Sequence, residues 1–140
     1  MATILLVGTD LPLLEGVAQT LGAMGHQTQL ALTLTEAADL ASGGSAPLLA
    51  VIQRDLAVGN TEALRIPLAP GGTLVLFRTD AEEPTDTLGA PLQRAVMADL
   101  ALPLERHRLI ALVHHVVDRA RRTGRGPSQT PPEEQAPYKQ

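Results

Sequence analysis

Residues 3–10 read TILLVGTD, a short apolar run that stops at a glycine, a threonine and an acidic residue. A parallel strand covered by helices on both sides shows no polar alternation, and this run has that character. Two further runs of the same kind lie at 47–52 and 73–77, and weaker, more mixed runs lie at 27–31 and 96–101. The sequence therefore predicts five strands.

Helical patterns separate these runs. The first helix is predicted over 11–24, with Asp10 as its N-cap and Gly25 as its stop. The second opens with a capping box formed by Thr33 and Glu36, and it ends near 42–44. Prolines within or close behind the third and fourth helices predict that both are short or irregular. The last three helices are predicted over 61–64, 85–94 and 104–122.

Strands that alternate with helices predict an α/β domain built on a parallel sheet with helices on both faces. The chain has 140 residues, which fits one domain. We place the domain at 1–122. Residues 123–140 are rich in glycine and proline and offer almost nothing to bury, so they are predicted to form a disordered tail.

Composition excludes several classes of function. The chain has no cysteine, which excludes disulfides, thiolate metal sites and cysteine nucleophiles. A net charge of −4 and only one Phe and one Tyr argue against a nucleic-acid binder, which needs basic surface and stacking platforms. The first apolar run is too short for a signal peptide or a membrane span, so a cytoplasmic protein is expected.

The order and spacing of these elements resemble the receiver domain of bacterial two-component response regulators. In that family the first strand ends in an acidic cluster, where this chain has residues 8–10. The third strand leads to the phosphoacceptor Asp, where 47–53 ends in Gln53, and the last strand ends in Lys-Pro, where this chain has 99–103. The resemblance covers about 3–122. It implies a flavodoxin-like, doubly wound, five-stranded parallel sheet with strand order 2-1-3-4-5.

The resemblance also implies a phosphoacceptor pocket, in which acidic residues hold Mg²⁺ while a Lys and a hydroxyl contact the phosphoryl group. The acceptor position here is Gln53, the hydroxyl position is Phe77 and the Lys position is Leu102. The single lysine of the chain, Lys139, lies in the predicted tail. We predict a pseudo-receiver that is not an enzyme and uses no cofactor or metal. Its degenerate pocket comprises Gly8, Thr9, Asp10, Gln53, Asp55, Phe77 and Leu102.

Two other sites compete with this interpretation. Asp55 follows Gln53 by two residues and is an alternative acceptor, against a reading of Arg54 and Asp55 as plain loop charges. His107 and His114 lie two helical turns apart, too far to share an ion alone, so no metal site is predicted. One of His114 and His115 is expected to pack at the edge of the core, with the other in solvent.

In the resembling family, the face of the fourth helix, fifth strand and fifth helix mediates dimers and partner docking. We expect this chain to work in the same way, as a stand-alone signalling protein that binds a protein partner or a second copy independently of phosphorylation. The alternative is a small-molecule or nucleotide-binding regulatory domain that uses the crevice at the C-terminal strand ends. The candidate interface residues are Leu88, Leu92, Leu100, Arg106 and Arg119.

Overall fold

A computed structural model of the chain describes residues 2–43, 46–58, 62–79, 90–102 and 105–125. The strands are β1 (Thr3–Val7), β2 (Gln27–Ala31), β3 (Leu49–Gln53), β4 (Thr73–Thr79) and β5 (Val96–Leu102). The helices are α1 (Leu11–Ala23), α2 (Leu34–Gly43), α3 (Arg54–Ala57), α4 (Ala90–Ala95) and α5 (Arg106–Arg125), with a 3₁₀ helix at Glu62–Arg65. Among the described helices, none is both long and apolar enough to cross a membrane.

The five strands form one parallel sheet in the order β2-β1-β3-β4-β5. Leu6 in β1 shows the register, since it pairs with Leu30 on one side and with Val51 on the other. The predicted fold class and strand order are therefore confirmed. Because all five strands run the same way, their carboxyl ends meet at a single edge, where folds of this kind place their sites.

Two apolar layers hold the helices on the sheet. Successive side chains of a strand point to opposite faces, so Leu6 packs in one layer and Leu5 in the other. Burying each such leucine contributes about 1.5 to 3 kcal/mol. The first layer joins the sheet to α1 and α5 and includes Leu14, Val17, Leu21, Phe77, Leu109, Val113 and Val116. The second joins it to α2, α3 and α4 and includes Leu34, Ala37, Ala57 and Leu92.

The start of α2 follows its predicted capping pattern in part. The hydroxyl of Thr33 accepts the backbone N–H of Glu36 at 3.0 Å, which is half of the predicted capping box. The carboxylate of Glu36 returns not to Thr33 but to the backbone N–H of Leu32, at 2.8 Å. The first bond pairs an N–H that the first turn of a helix leaves without an intrahelical partner, and the second ties the residue before the cap to the same turn.

The short helices differ most from prediction. The sequence did not predict α3, which begins directly after β3, and the 3₁₀ helix begins and ends one residue later than the predicted 61–64. α4 begins at Ala90, with Pro91 in its first turn, where the missing N–H of proline costs nothing. Residues 85–89 of the predicted fourth helix lie outside the described residues.

The last helix is longer than predicted. α5 ends at Arg125, so it crosses the predicted domain boundary at 122. It begins at Arg106, two residues after the predicted start. The predicted tail beyond residue 125 lies outside the described part of the chain.

Candidate functional site at the carboxyl edge of the sheet

Gln53, the last residue of β3, occupies the predicted acceptor position and is bound to Thr9. Its Oε1 accepts the backbone N–H of Thr9 at 2.8 Å and the Thr9 hydroxyl at 3.2 Å. The amide thereby ties the loop after β1 to the end of β3. A neutral amide is no phosphoacceptor of the carboxylate type, and it offers a divalent cation less charge than a carboxylate does.

Gly8 and Phe77 make this arrangement compact. A Cβ placed on Gly8 would lie 2.9 Å from Oε1 of Gln53 and 3.0 Å from Cζ of Phe77, closer than side chains tolerate. Phe77 is fully buried in β4, and Leu102, at the predicted Lys position, is fully buried at the end of β5. Apolar side chains therefore stand at the two positions that were predicted to correspond to the hydroxyl and the Lys of the receiver family.

Asp10 caps α1. Its Oδ1 accepts the backbone N–H of Leu13 at 3.3 Å, which confirms the predicted N-cap. The other predicted acidic residue of this edge, Asp55, is exposed in α3. Of the two carboxylates in the predicted degenerate pocket, Asp10 thus serves as a helix cap.

This role of Asp10 predicts the effect of two substitutions. Asp10→Ala should lower the free energy of unfolding by about 1 kcal/mol, because it removes the acceptor for the first turn of α1. Asp10→Asn should retain most of the stability, since asparagine caps almost as well. Urea unfolding followed by circular dichroism measures both. Equal losses in the two variants would contradict the capping role.

The donors at this edge do not fit a magnesium ion. Mg²⁺ takes near-octahedral oxygen coordination, usually with one or two carboxylates. Here Oδ1 of Asp10 accepts the N–H of Leu13, and the amide oxygen of Gln53 accepts two bonds from Thr9. Across the described ranges, no three His, Asp or Glu side chains are grouped so that they could hold a metal.

A charged cluster beside this edge escaped the sequence reasoning. Oδ2 of Asp99, in β5, lies 2.5 Å from Nη1 of Arg54, and its Oδ1 lies 3.3 Å from Nη1 of Arg78. Arg54 is only 9% exposed, so the reading of this residue as a loop charge was wrong. The available signal was Asp99 itself, a carboxylate in the middle of an otherwise apolar strand, which needs a cationic partner when partly buried.

The predicted interface must be corrected at two leucines. Leu92 is 4% exposed and Leu100 is 0% exposed, so both belong to the core and not to the surface. Arg106 is exposed as expected, whereas Arg119 donates from Nη2 to the carbonyl of Gly71 at 3.2 Å. Leu88 lies outside the described residues.

What this face does carry is a groove between β5 and α5. Its volume is about 410 Å³. Half-buried apolar side chains form most of its wall, and a histidine and an arginine stand among them. The lining residues are Met97, Ala98, Arg108, Ala111, Leu112 and His115.

Glu105 fixes the start of α5 beside this groove. Its Oε1 accepts the backbone N–H of Ala101 at 2.8 Å, and Oε2 lies 2.6 Å from Nη1 of Arg108. The backbone bond, followed by the Arg108 contact, lowers the pKa of the Glu105 carboxyl. The ionised carboxylate thus ties the end of β5 to the first turn of α5.

The histidines also differ from expectation. His114 and His115 are both exposed, so neither packs at the edge of the core as predicted. The histidine that is half buried is His26, which precedes β2, and its Nδ1 accepts the backbone N–H of Ala2 at 3.3 Å. Burial lowers the pKa of His26, and the positive charges of the amino terminus and His114 lower it further.

This shift predicts a pH dependence of stability. As the pH falls, His26 takes up a proton in the unfolded chain, where its pKa is the ordinary 6.5, at a higher pH than in the folded chain. His26 therefore contributes its full stability above pH 6.5 and loses it as the pH falls toward its lower folded pKa. His26→Gln should flatten the loss between about pH 7.5 and 5.5, measured by urea unfolding at each pH. The matched control His107→Gln, on the exposed side of α5, should retain the wild-type slope; equal slopes in all three proteins would contradict this role.

The sequence matches no protein-family model and no curated relative. Solved structures do resemble the fold. The N-terminal domain of a response regulator/sensory box/GGDEF three-domain protein from Carboxydothermus hydrogenoformans is 20% identical, with a TM-score of 0.67 over 86% of this chain and 98% of that one. A response regulator receiver domain protein from Clostridium thermocellum is 13% identical, with a TM-score of 0.68 over 86% and 98%.

A CheY-like response regulator receiver domain from Methylobacillus flagellatus gives the same result, with 16% identity and a TM-score of 0.65 over 83% of this chain and 98% of that one. Each of these structures is a receiver domain, and each is matched over nearly its full length. At such low identities the likeness concerns the fold. The chain therefore has the flavodoxin-like fold of response regulator receiver domains.

Proposed function

We propose that this chain is a pseudo-receiver that acts in cytoplasmic bacterial signalling through phosphorylation-independent protein–protein interaction and has no enzymatic activity. The observation that carries the proposal is the bond between Gln53 and Thr9 within a receiver fold. Phosphoryl transfer to the chain needs a nucleophilic carboxylate at this position, whereas Gln53 carries a neutral amide that is already hydrogen-bonded to Thr9.

The surroundings of Gln53 support the same conclusion. A phosphoryl group in transfer carries negative charge that must be compensated by cations or hydrogen-bond donors. Phe77 and Leu102 supply neither, and both are fully buried. Gln53 and Phe77 lie so close to Gly8 that even an added Cβ would meet them at 2.9 and 3.0 Å, which argues against the alternative of a small-molecule site at this point of the crevice.

The proposed working surface is the face formed by α4, β5 and α5. Its groove combines apolar wall residues with Arg108 and His115, a composition suited to a protein partner. The proposed occupant is a signalling protein or a second copy of this chain.

The absence of phosphoryl chemistry is tested by incubation with acetyl phosphate and Mg²⁺, followed by intact-mass measurement. The expected result is an unchanged mass for the wild-type chain and also for Gln53→Asp, because the substitution restores only the acceptor. A gain of one phosphoryl group that disappears in Asp55→Ala would overturn the proposal. Labelling of Gln53→Asp would show that the rest of the pocket is competent.

The interaction surface is tested by charge insertion. Ala111→Glu places a carboxylate in the groove, whereas the control Gln19→Glu adds the same group on the exposed side of α1. We expect Ala111→Glu to abolish self-association in sedimentation velocity, or capture of a signalling protein, while Gln19→Glu behaves as wild type. Equal binding by both variants would show that this face is not the interaction surface.

A further inference from the structure

The amino-terminal edge of the sheet carries a second pocket, at the opposite end of the strands from Gln53. It encloses about 410 Å³, within the range of about 300 to 1,000 Å³ that small-molecule sites occupy. The turn before β2 and the last part of α5 form its walls. The lining residues are Met24, His26, His114, Val117, Asp118 and Arg121.

Polar groups converge in this pocket from two separate segments. His114 and Asp118 are one helical turn apart, and Arg121 follows three residues later, so all three share a face of α5. His26 faces them from the turn at Gly25, whose φ of 94° places that turn in the left-handed region. In the described part of the chain, no ion pair engages Asp118 or Arg121.

The hydrogen bond of His26 decides which of its nitrogens serves the pocket. Because Nδ1 accepts the N–H of Ala2, the neutral ring carries its proton on Nε2, which is a donor. Burial lowers the pKa of the ring, and the positive charges of the amino terminus and His114 lower it further. A bound anion would reverse that effect, since it favours the charged form of each surrounding base.

We propose that this pocket binds the phosphate group of a small phosphomonoester. Arg121 provides a charge-assisted donor to the phosphate, and His26 and His114 provide imidazole donors. Asp118 accepts hydrogen bonds from hydroxyl groups of the organic part, and Met24 and Val117 contact its carbon atoms. The proposal does not depend on the function proposed for the opposite edge.

The test uses the full chain and glycerol 3-phosphate as the probe, in chloride buffer of constant ionic strength. The readout is the NMR signal of the His26 ring, titrated with pH at several probe concentrations. We expect a saturable shift and a raised pKa of His26 in the presence of the probe. Arg121→Gln should weaken binding about tenfold, which is the loss of one charge-assisted hydrogen bond.

The control variant is Arg122→Gln, which removes an equally exposed arginine that does not line the pocket. It should bind the probe as the wild type does. A similar loss in both variants, or no saturable shift up to about 10 mM probe, a weak millimolar limit, would overturn the proposal. Inorganic phosphate that binds as tightly as the ester would overturn the assignment to a phosphomonoester, because Asp118 and the apolar wall would then contribute nothing.

Discussion

Asp99→Ala should lower the free energy of unfolding by about 2 to 3 kcal/mol, because it removes a carboxylate that contacts the buried guanidinium of Arg54. The guanidinium of Arg54 lies 2.5 Å from Asp99, and its side chain is 10% exposed. Breaking a fully buried pair costs about 3 to 5 kcal/mol, but the side chain of Asp99 is 29% exposed, which reduces the effect. Urea unfolding measures the loss.

A double-mutant cycle separates this pair from general damage to β5. Arg54→Met keeps most of the apolar stem of the side chain and removes its charge. The double variant should lose at least about 1 kcal/mol less than the sum of the two single losses, because the contact between Arg54 and Asp99 is lost in each single variant and can be lost only once. Arg78→Met should cost less than about 1 kcal/mol, since both members of that pair are partly exposed. Additive losses for Asp99 and Arg54 would show that their contact is not the source of the stability.

The partners of Asp99 in this cluster could not be predicted from the sequence. The strands and the first helix could be predicted because their signals are local: apolar runs without alternation, and Asp10 before a helical pattern. The ion pair joins positions in β3–α3 and β5 that only the folded sheet brings together. α3 has four residues and α4 has six, too few to carry a reliable periodic pattern.

The candidate site could likewise be predicted only in part from the sequence. The acceptor, hydroxyl and Lys positions were assigned from the strand ends and prolines of the sequence, and this assignment stays a prediction. The bond of Gln53 to Thr9 was not predicted, since it depends on side-chain geometry between two strands. Leu100 was assigned to an exposed face. Because it follows Asp99 in β5, its side chain points to the opposite side of the sheet, toward α1 and α5, where it is buried.

The second pocket was missed for a related reason. The spacing of two histidines can be worked out from the sequence only when both lie on one helix, as His107 and His114 do. His26 reaches the same place from a turn that is distant in sequence, and only the packing of α5 against the sheet shows this.

Phe77→Ala should lower the free energy of unfolding by about 3 to 5 kcal/mol, which is typical of truncating a buried aromatic residue. The ring is fully buried in the layer that joins the sheet to α1 and α5. Phe77→Leu should cost less than Phe77→Ala, because it retains most of the apolar volume. Urea unfolding of the two variants gives both values, and equal losses would show that the cavity is not the source.

The ring of Phe77 also lies close to Gly8 and Gln53, at the predicted acceptor position. Gly8→Ala adds a Cβ at 2.9 Å from Oε1 of Gln53 and 3.0 Å from Cζ of Phe77, so the amide must move away and the ring must also yield by a few tenths of an ångström. The ring is enclosed by the core, whereas the amide can rotate, so Gln53 should release Thr9. In the Phe77→Leu background the Cβ meets no ring, and Gly8→Ala should then cost about 1 kcal/mol less than in the wild type. An equal cost of Gly8→Ala in both backgrounds would show that Phe77 does not contribute to the close packing around Gly8 and Gln53.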